Sequence, residues 1–214
     1  MVLSLCSMNK KSKNIKSCSA VILAAGRSSR MGVPKFALKF NNQTTFIEEI
    51  IEKYNSFGCN EIVVVVNSEG VSVLDENKIK LSDKIKIVIN EHLEWERFYS
   101  IKLGLKKSNS YHPVFIHNVD NPFVNPNILS SLFDEITVTN FVVPEFKNKG
   151  GHPILVSEKI IKNIISEEKN DLNFRDFLKR FEKKNIEVDD ERILVNVNSE
   201  KEYGELNFNK FIVH

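Results

Sequence analysis

The amino-acid sequence predicts an α/β fold, a single domain with a mostly parallel central sheet. Apolar runs rich in β-branched residues alternate with amphipathic helical segments, as expected when helices cover a parallel sheet. The first repeat, from Ala20 to Val66, has the pattern of a complete strand–helix–strand unit, and such a crossover joins parallel strands. With 214 residues, 42% of them hydrophobic, the chain can bury one large core.

The first predicted strand leads into a basic loop. The apolar run at 20–24 stops at Gly26 and is followed by Arg27, Arg30 and Lys35. Glycine lets the backbone come close to a ligand, and arginine and lysine side chains donate hydrogen bonds to anions. We therefore predict a phosphate-binding loop, although a core strand followed by a basic surface loop fits the same residues.

The two common phosphate motifs are absent from this loop. Met31 stands where a P-loop requires its second glycine, and Ser28 stands where the dinucleotide fingerprint requires one. The sequence therefore excludes an ordinary P-loop kinase and an ordinary dehydrogenase.

The segments after the loop complete the first repeat. Residues 36–40 are predicted as a short extended segment. Thr45 is a predicted N-cap with Glu48 at the capping-box spacing, and the helix should end near Gly58. The continuous β-branched run at 61–66 predicts a strand that is buried on both faces.

The rest of the chain continues the alternation. The sequence pattern at 69–81 predicts a segment that is helical in part. Further strands are predicted at 84–89, 113–117, 140–143, 152–156 and 193–197, and further helices at 97–106, 127–133, 158–167, 172–181 and 199–206.

Composition narrows the possible partners and compartment. The net charge of +2 gives no support for binding to nucleic acid or to a membrane. The three cysteines are widely spaced and form no zinc-binding pattern, which favours a reduced, cytoplasmic setting. We expect residues 1–18 to be a disordered basic leader and residues 19–214 to be the domain.

Polar residues follow two more predicted strands. Asp120 lies in the loop after strand 113–117, at the sheet edge where open α/β folds bind ligands. A basic loop and one carboxylate suit a magnesium–triphosphate complex, but Asp120 is also a common turn residue before Pro122. Asn90 follows strand 84–89 and is consistent either with contact to a nucleotide base or with simple strand termination.

Several ordered segments resemble one enzyme family. The segment 23–35 resembles the signature of nucleotidyltransferases with the Rossmann-like, glycosyltransferase A-type fold, and the branch is that of the molybdenum-cofactor cytidylyltransferases and guanylyltransferases. Three later segments match the same family in the same order: Val119-Asp-Asn-Pro-Phe-Val124, Gly150-Gly-His-Pro-Ile-Leu155 and Val197-Asn-Ser-Glu-Lys-Glu-Tyr203.

This resemblance implies a reaction and its partners. A nucleoside triphosphate would give its nucleoside monophosphate to a phosphorylated small-molecule acceptor, with Mg²⁺ as cofactor and release of pyrophosphate. The implied catalytic residues are Lys35, Arg30 and Asp120. The implied nucleotide-binding residues, beside Asn90, are Leu23, Ala24, Ala25, Gly26, Arg30 and Lys35.

The resemblance also implies which residues bind the metal and which face the acceptor. Asp120 and Asn198 would hold the metal, and Gly151 and His152 would face the acceptor. The triplet 24–26 resembles the cytidylyl branch more than the guanylyl branch, which favours CTP.

Two departures from the family's sequence pattern leave the identity of the acceptor open. Residues 97–100 replace a segment rich in Gly, Met and Ser in many cytidylyltransferases of this branch, and Asn198 is neutral. The acceptor is therefore molybdopterin or a sugar or alditol phosphate. A non-catalytic nucleotide-binding regulatory module on the same fold is the alternative function.

Overall fold

The computed structural model describes residues 16–27, 31–77, 79, 81, 82, 84–108 and 111–206. Eight strands lie in one sheet. They are β1 Lys16–Leu23, β2 Cys59–Val66, β3 Ile85–Ile89, β4 Val114–Asn118, β5 Phe141–Phe146, β6 Lys149–Gly150, β7 Ile154–Val156 and β8 Lys183–Glu187.

Seven α-helices pack around the sheet within the described ranges. They are α1 Phe46–Phe57, α2 Ser68–Glu76, α3 Glu96–Ser108, α4 Pro126–Glu135, α5 Glu158–Ser166, α6 Phe174–Leu178 and α7 Glu200–Glu205. Short 3₁₀ helices stand at Lys35–Ala37, Leu93–Trp95, Ile136–Val138 and Glu191–Leu194. None of these helices is long and apolar enough to cross a membrane.

The sheet is mixed but mostly parallel, as predicted. Its order is β3-β2-β1-β4-β7-β5-β6, with β8 paired to β5. The strands β3, β2, β1 and β4 are mutually parallel. Strand β7 runs antiparallel between β4 and β5, and β8 pairs in parallel with β5. The carboxyl ends of β1, β3 and β4 therefore meet at one edge of the sheet.

Local sequence signals account for the first repeat. The capping box between Thr45 and Glu48 is present at the start of α1, and Gly58 ends that helix with a φ of 98°. Strand β2 ends in four valines, Val63 to Val66, each fully buried, which is the burial expected of a strand covered on both faces.

The core has two layers, one on each face of the sheet. Alternate residues of β1 enter different layers, since successive side chains of a strand point to opposite faces. Ala20 and Ile22 pack in the layer beneath α1 and α4, whereas Val21 and Leu23 pack in the layer beneath α3 and α5.

Helix α3 lies unusually close to the sheet because Gly104 has no side chain. A Cβ atom at Gly104 would stand 2.4 Å from Val21 Cγ1 and 3.0 Å from Val65 Cγ2. This close approach fixes the height of α3 above β1 and β2, and with it the position of the side chains in the first turns of the helix.

Several predicted elements differ from the structure. The predicted strand at 193–197 is wrong, because residues 191–194 form a 3₁₀ helix and the Ile193 carbonyl accepts bonds from the His152 backbone and the Asn121 side chain instead of a sheet partner. The final strand is β8. Residues 35–37 are 3₁₀ rather than extended, and α6 covers only the middle of the predicted helix at 172–181.

The boundary of the leader also differs. Strand β1 begins at Lys16, so residues 16–18 belong to the sheet. The remainder of the predicted leader, residues 1–15, lies outside the described residues.

Candidate active site

A cavity of about 650 Å³ opens at the carboxyl ends of β1, β3 and β4. It brings together most of the residues predicted from the sequence. The predicted residues that line it are Leu23, Ala24, Ala25, Gly26, Lys35, Asn90, Asp120 and Asn198. Arg30 lies outside the described residues. Arg27 of the predicted phosphate-binding loop also lines the cavity. Residues that were not predicted as site residues line it too, among them Glu94, Arg97, Ser100 and Asn118.

Two neighbouring strands hold the start of the loop after β1. The Ala24 backbone N–H donates to the Val65 carbonyl at 2.8 Å, and the Val119 N–H donates to the Leu23 carbonyl at 3.1 Å. The backbone at 23–24 is therefore tied to both β2 and the Asp120 loop before it turns along the cavity.

Lys35 joins the two predicted metal ligands. Its Nζ donates to Asn198 Oδ1 at 2.6 Å and lies 3.7 Å from Asp120 Oδ2. The side chains of Lys35 and Asp120 are only 17% and 24% exposed. The resting site thus holds a lysine ammonium group between a carboxylate and an amide oxygen.

Asp120 keeps one oxygen unused. Its Oδ1 is buried and has no hydrogen-bond partner among the described residues. Burial raises the pKa of Asp120, and this effect outweighs the opposing charges of Lys35 and Arg97. A buried, unpaired carboxylate oxygen is costly by itself, and a cation bound in the cavity would satisfy it.

The available oxygens fit a magnesium ion bound together with phosphate. The described residues contain no group of three or more His, Cys, Asp or Glu side chains suited to a metal. Magnesium usually takes only one or two carboxylates and fills its other positions with water and substrate phosphates. Asp120 Oδ1 and Asn198 Oδ1 are hard oxygen donors of the kind this ion prefers.

Asn121 fixes the Asp120 loop to the end of the domain. This side chain is fully buried. Its Nδ2 donates to the carbonyls of Arg192 at 3.0 Å and Ile193 at 3.1 Å, and its Oδ1 accepts from the Phe123 N–H at 3.1 Å. Because Asp120 precedes this residue, these bonds set the position of the carboxylate.

A buried histidine supports the same loop through a hydrogen bond to its backbone. His117 Nε2 lies 2.6 Å from the Asn121 carbonyl and must donate to it, so Nδ1 accepts from the Tyr54 hydroxyl at 2.9 Å. Burial lowers the pKa of His117 to about 4, which keeps the ring neutral at physiological pH. The His117 side chain is fully buried.

Asn90 lines the cavity with its polar atoms already engaged. Only 1% of the residue is exposed. Its Nδ2 donates to Ser100 Oγ at 2.9 Å, and its Oδ1 accepts from the His92 N–H at 2.8 Å. These bonds hold the loop after β3 against α3, and base contact by Asn90 stays a prediction.

Trp95 anchors the loop between Asn90 and α3. Its ring stacks on His92 with centroids 4.1 Å apart and meets Tyr99 edge-on at 4.6 Å. Trp95 therefore acts as an aromatic anchor that holds this loop against the start of α3.

Arg97 is the main charged residue that sequence reasoning missed. Its Nε and Nη2 are buried and have no partner within the described part of the chain. The guanidinium lies 5.4 Å from the centre of the Phe174 ring. Burial lowers the pKa of Arg97 to about 10, with Asp120 opposing the change. The signal available in the sequence was that residues 97–100 depart from the family pattern.

The two predicted acceptor-side residues, Gly151 and His152, are not among the residues that line the cavity. A Cβ atom at Gly151 would lie 2.5 Å from the Ile193 carbonyl oxygen, which gives this glycine a packing role. His152 Nε2 is 3.3 Å from Asn118 Nδ2, and its Nδ1 is buried without a partner among the described residues. Burial and the charge of Arg97 lower the pKa of His152 to about 3, so the ring is neutral.

Comparison with known proteins identifies relatives over most of the domain. The family model of the MobA-like NTP transferase domain matches residues 20–185. A probable molybdenum cofactor guanylyltransferase of Methanosarcina mazei is 30% identical over 170 residues, 73% of each chain. A protein of the same description from Natranaerobius thermophilus is 36% identical over 120 residues, which is 55% of this chain and about half (54%) of that relative.

Solved structures share the fold at lower sequence identity. A nucleotidyl transferase from Methanothermobacter thermautotroptrophicus superimposes with a TM-score of 0.73 at 20% identity, covering 91% of this chain and 99% of the other. The family match covers well over half of the chain and spans most of the strands that frame the cavity. The chain therefore belongs to the MobA-like NTP transferase family.

Proposed function

We propose that this protein transfers a nucleoside monophosphate from a nucleoside triphosphate to a phosphorylated small molecule and releases pyrophosphate. The observation that carries the proposal is the convergence of Lys35, Asp120 and Asn198 in one cavity at the carboxyl ends of the parallel strands. Membership of a family of NTP transferases supports it.

The reaction needs positioning and charge stabilisation more than proton transfer. An oxygen of the acceptor phosphate attacks the α-phosphorus, a new P–O bond forms, and the bond to the β-phosphate breaks. The attacking phosphate is already ionised, so no general base is needed. Lys35 is placed to stabilise the negative charge that develops on the transferring phosphate, once nucleotide draws it from Asn198.

Asp120 and Asn198 would hold Mg²⁺ beside the phosphates. When bound, the ion would neutralise charge on the triphosphate and on the pyrophosphate that leaves. The unpaired Oδ1 of Asp120 supports this assignment. The Asn198 amide oxygen becomes available when Lys35 moves to the phosphates.

We propose CTP as the preferred donor, with GTP as the competing assignment. Ala25 packs in the core layer that includes Phe98 of α3, so its methyl group lies on the side of the cavity where Asn90 and Ser100 stand. A methyl group there narrows the space for a base and favours a pyrimidine. The relatives described as guanylyltransferases favour GTP, so both nucleotides must be compared directly.

For the acceptor we propose molybdopterin first and a sugar or alditol phosphate second. The description of the two relatives as molybdenum cofactor guanylyltransferases supports the first choice. The unusual segment at 97–100 supports testing the second.

A pyrophosphate-release assay tests the proposal. It would combine the four common nucleoside triphosphates with molybdopterin and a panel of sugar and alditol phosphates in the presence of Mg²⁺. Lys35→Ala and Asp120→Ala should each reduce turnover by roughly a hundredfold or more, because each removes preorganised charge. Lys39→Ala is the matched control, since this exposed lysine stands near the same loop and should leave turnover unchanged.

The alternative function predicts a different result. A non-catalytic regulatory module would bind nucleotide without turnover in any pairing, and its nucleotide affinity would not change in Asp120→Ala. That combination would reject the enzymatic proposal.

A further inference from the structure

Arg97 presents an unused pair of hydrogen-bond donors. Its Nε and Nη2 are the two nitrogens without a partner among the described residues. These nitrogens share one edge of the guanidinium group, and that edge binds the two oxygens of a carboxylate or phosphate side by side. Arg192 uses the same edge on Asp190, with Nε to Oδ1 and Nη2 to Oδ2 both at 2.7 Å.

An unpaired charge of this kind is costly for the folded protein. Burial already lowers the pKa of Arg97, and a buried charged donor without a partner costs more than a neutral one. Hydrophobic side chains of similar size would stabilise the same place better. The guanidinium is therefore best explained by an anion that binds to it during function.

Arg97 and Lys35 reach the cavity from different elements of the fold. Lys35 reaches the cavity from the loop after β1 and contacts Asn198. Arg97 stands at the start of α3, with its guanidinium over Phe174 of α6, and its charge affects Asp120 and His152. Arg97 lines the same cavity as Lys35 and Asp120 but enters it from a different element of the fold.

A third unpaired donor belongs to His152, whose ring feels the charge of Arg97. Asn118 Nδ2 can only donate, so His152 Nε2 accepts from it and Nδ1 carries the ring proton. That Nδ1 is buried and has no partner in the described part of the chain. Three unpaired donors, two on Arg97 and one on His152, match a group with several acceptor oxygens, and a phosphate monoester is such a group.

We infer that Arg97 binds the attacking phosphate of the acceptor side-on through Nε and Nη2. This inference rests on the proposed function. The guanidinium fork would hold the phosphate beside Asp120, where the α-phosphate of the donor is expected, and the neutral His152 would supply the third hydrogen bond.

Phosphate probes test the inference without knowledge of the acceptor. Methyl phosphate would be titrated by calorimetry into protein that holds Mg²⁺ and the α,β-methylene analogue of CTP or GTP. The wild-type protein should bind methyl phosphate. Arg97→Gln should weaken this binding by about tenfold to a hundredfold, the loss expected for a bidentate charged contact, and should leave the affinity for the analogue unchanged. Arg97→Lys keeps the charge without the fork and should give an intermediate affinity.

Arg180→Gln is the matched control. Arg180 also lies over an aromatic ring, 5.0 Å from the centre of Phe177, but its side chain is 58% exposed and pairs with Glu167. This variant should bind methyl phosphate as the wild type does. Inorganic phosphate should also raise the melting temperature of the wild type but not that of Arg97→Gln, which should itself melt no lower than the wild type.

Three results would overturn the inference. They are equal affinity of wild type and Arg97→Gln for methyl phosphate, absence of any phosphate binding by the wild type, and a loss of analogue binding in Arg97→Gln as large as that in Lys35→Ala. Failure of the wild type to bind the analogue would instead count against the proposed function. Binding of inorganic phosphate to the free protein through Arg97 would still be measurable in that case. If Arg97→Gln does not fold, Arg97→Lys decides.

Discussion

Replacement of Asn121 should damage stability and activity together. Asn121→Ala removes two donor bonds to the Arg192 and Ile193 carbonyls and one acceptor bond from the Phe123 N–H, all in a fully buried place. At about 1 kcal/mol for each bond, the expected loss of unfolding free energy is about 3 kcal/mol. For a domain of this size, that corresponds to a decrease of roughly 6–12 °C in melting temperature.

The loss of activity has a geometric cause. Asn121 ties the Asp120 loop to residues 192–193, and the chain continues from there to Asn198. Without that tie, the bond from the Val197 N–H to the Asp120 carbonyl, at 2.8 Å, still joins the two segments. The separation of the carboxylate and the amide oxygen is less tightly fixed, and turnover should fall at least about tenfold. Asn121→Asp separates packing from hydrogen bonding, because it keeps the shape but places a carboxylate oxygen against two carbonyls. It should be at least as harmful as alanine.

Urea denaturation and the pyrophosphate-release assay measure the two effects. Asn196→Ala is the control, since this exposed side chain in the same segment makes one bond of 3.2 Å to Leu194 and should change stability by less than about 0.5 kcal/mol. A loss below 1 kcal/mol in Asn121→Ala, or a benign Asn121→Asp, would refute the role assigned to these bonds.

Three further predictions concern α3, the buried histidines and the base. Gly104→Ala places a methyl group 2.4 Å from Val21 Cγ1, so it should cost about 1–3 kcal/mol and reduce turnover by moving α3 away from the sheet. Burial lowers the pKa of His117 to about 4 and that of His152 to about 3. Below about pH 6.5 both rings bind a proton in the unfolded chain but stay neutral in the folded protein. The free energy of unfolding should therefore fall from pH 6.5 towards 4 by up to about 1.4 kcal/mol per pH unit for each ring. Ala25→Gly should raise turnover with GTP relative to CTP.

Each of these predictions has a measurement that can contradict it. If urea denaturation showed Gly104→Ala to be as stable as the wild type, the prediction about α3 would be wrong. Equal unfolding free energies at pH 7 and pH 5 would be inconsistent with buried neutral histidines. An unchanged ratio of turnover with the two nucleotides in Ala25→Gly would remove the argument for CTP.

The first repeat of the fold was predictable because its local signals agree. The capping box at Thr45, the left-handed Gly58 and the valine run of β2 each mark a boundary or a buried face through short-range chemistry. The last strand was not predictable in this way. Strand β8 reads Lys-Lys-Asn-Ile-Glu, with side chains that are only exposed or half-buried, so neither apolar alternation nor a buried run marks it.

The apolar segment at 193–197 was misassigned for a tertiary reason. Ile193 and Val197 are buried, as in a strand, but the carbonyl of Ile193 bonds to Asn121 and His152. Pattern alone cannot distinguish burial beneath a loop from burial in a sheet.

The residues of the candidate site also divide into those that the sequence predicts and those that it does not. Lys35, Asp120 and Asn198 were identified because ordered segments resembled a known family, and the structure brings them together in one cavity. Arg97 and Asn121 were missed because their importance depends on burial and on distant partners. The departure of residues 97–100 from the family pattern marks the segment of Arg97 but not its burial, and the matching segment 119–124 does not show that Asn121 bonds to residues 192–193.

The bond between Lys35 and Asn198 has a consequence for the order of events during synthesis. It joins residues 163 positions apart, and the tie from Asn121 to Arg192 spans 71 positions. Contacts between distant residues form late, because the intervening chain must first be ordered. On the ribosome, where the amino-terminal part folds first, the parallel strands β1 to β4 can pair before residues 192–198 are made. A nascent chain would therefore acquire this part of the sheet before it acquires Asn198 and, with it, the complete set of predicted metal-binding residues.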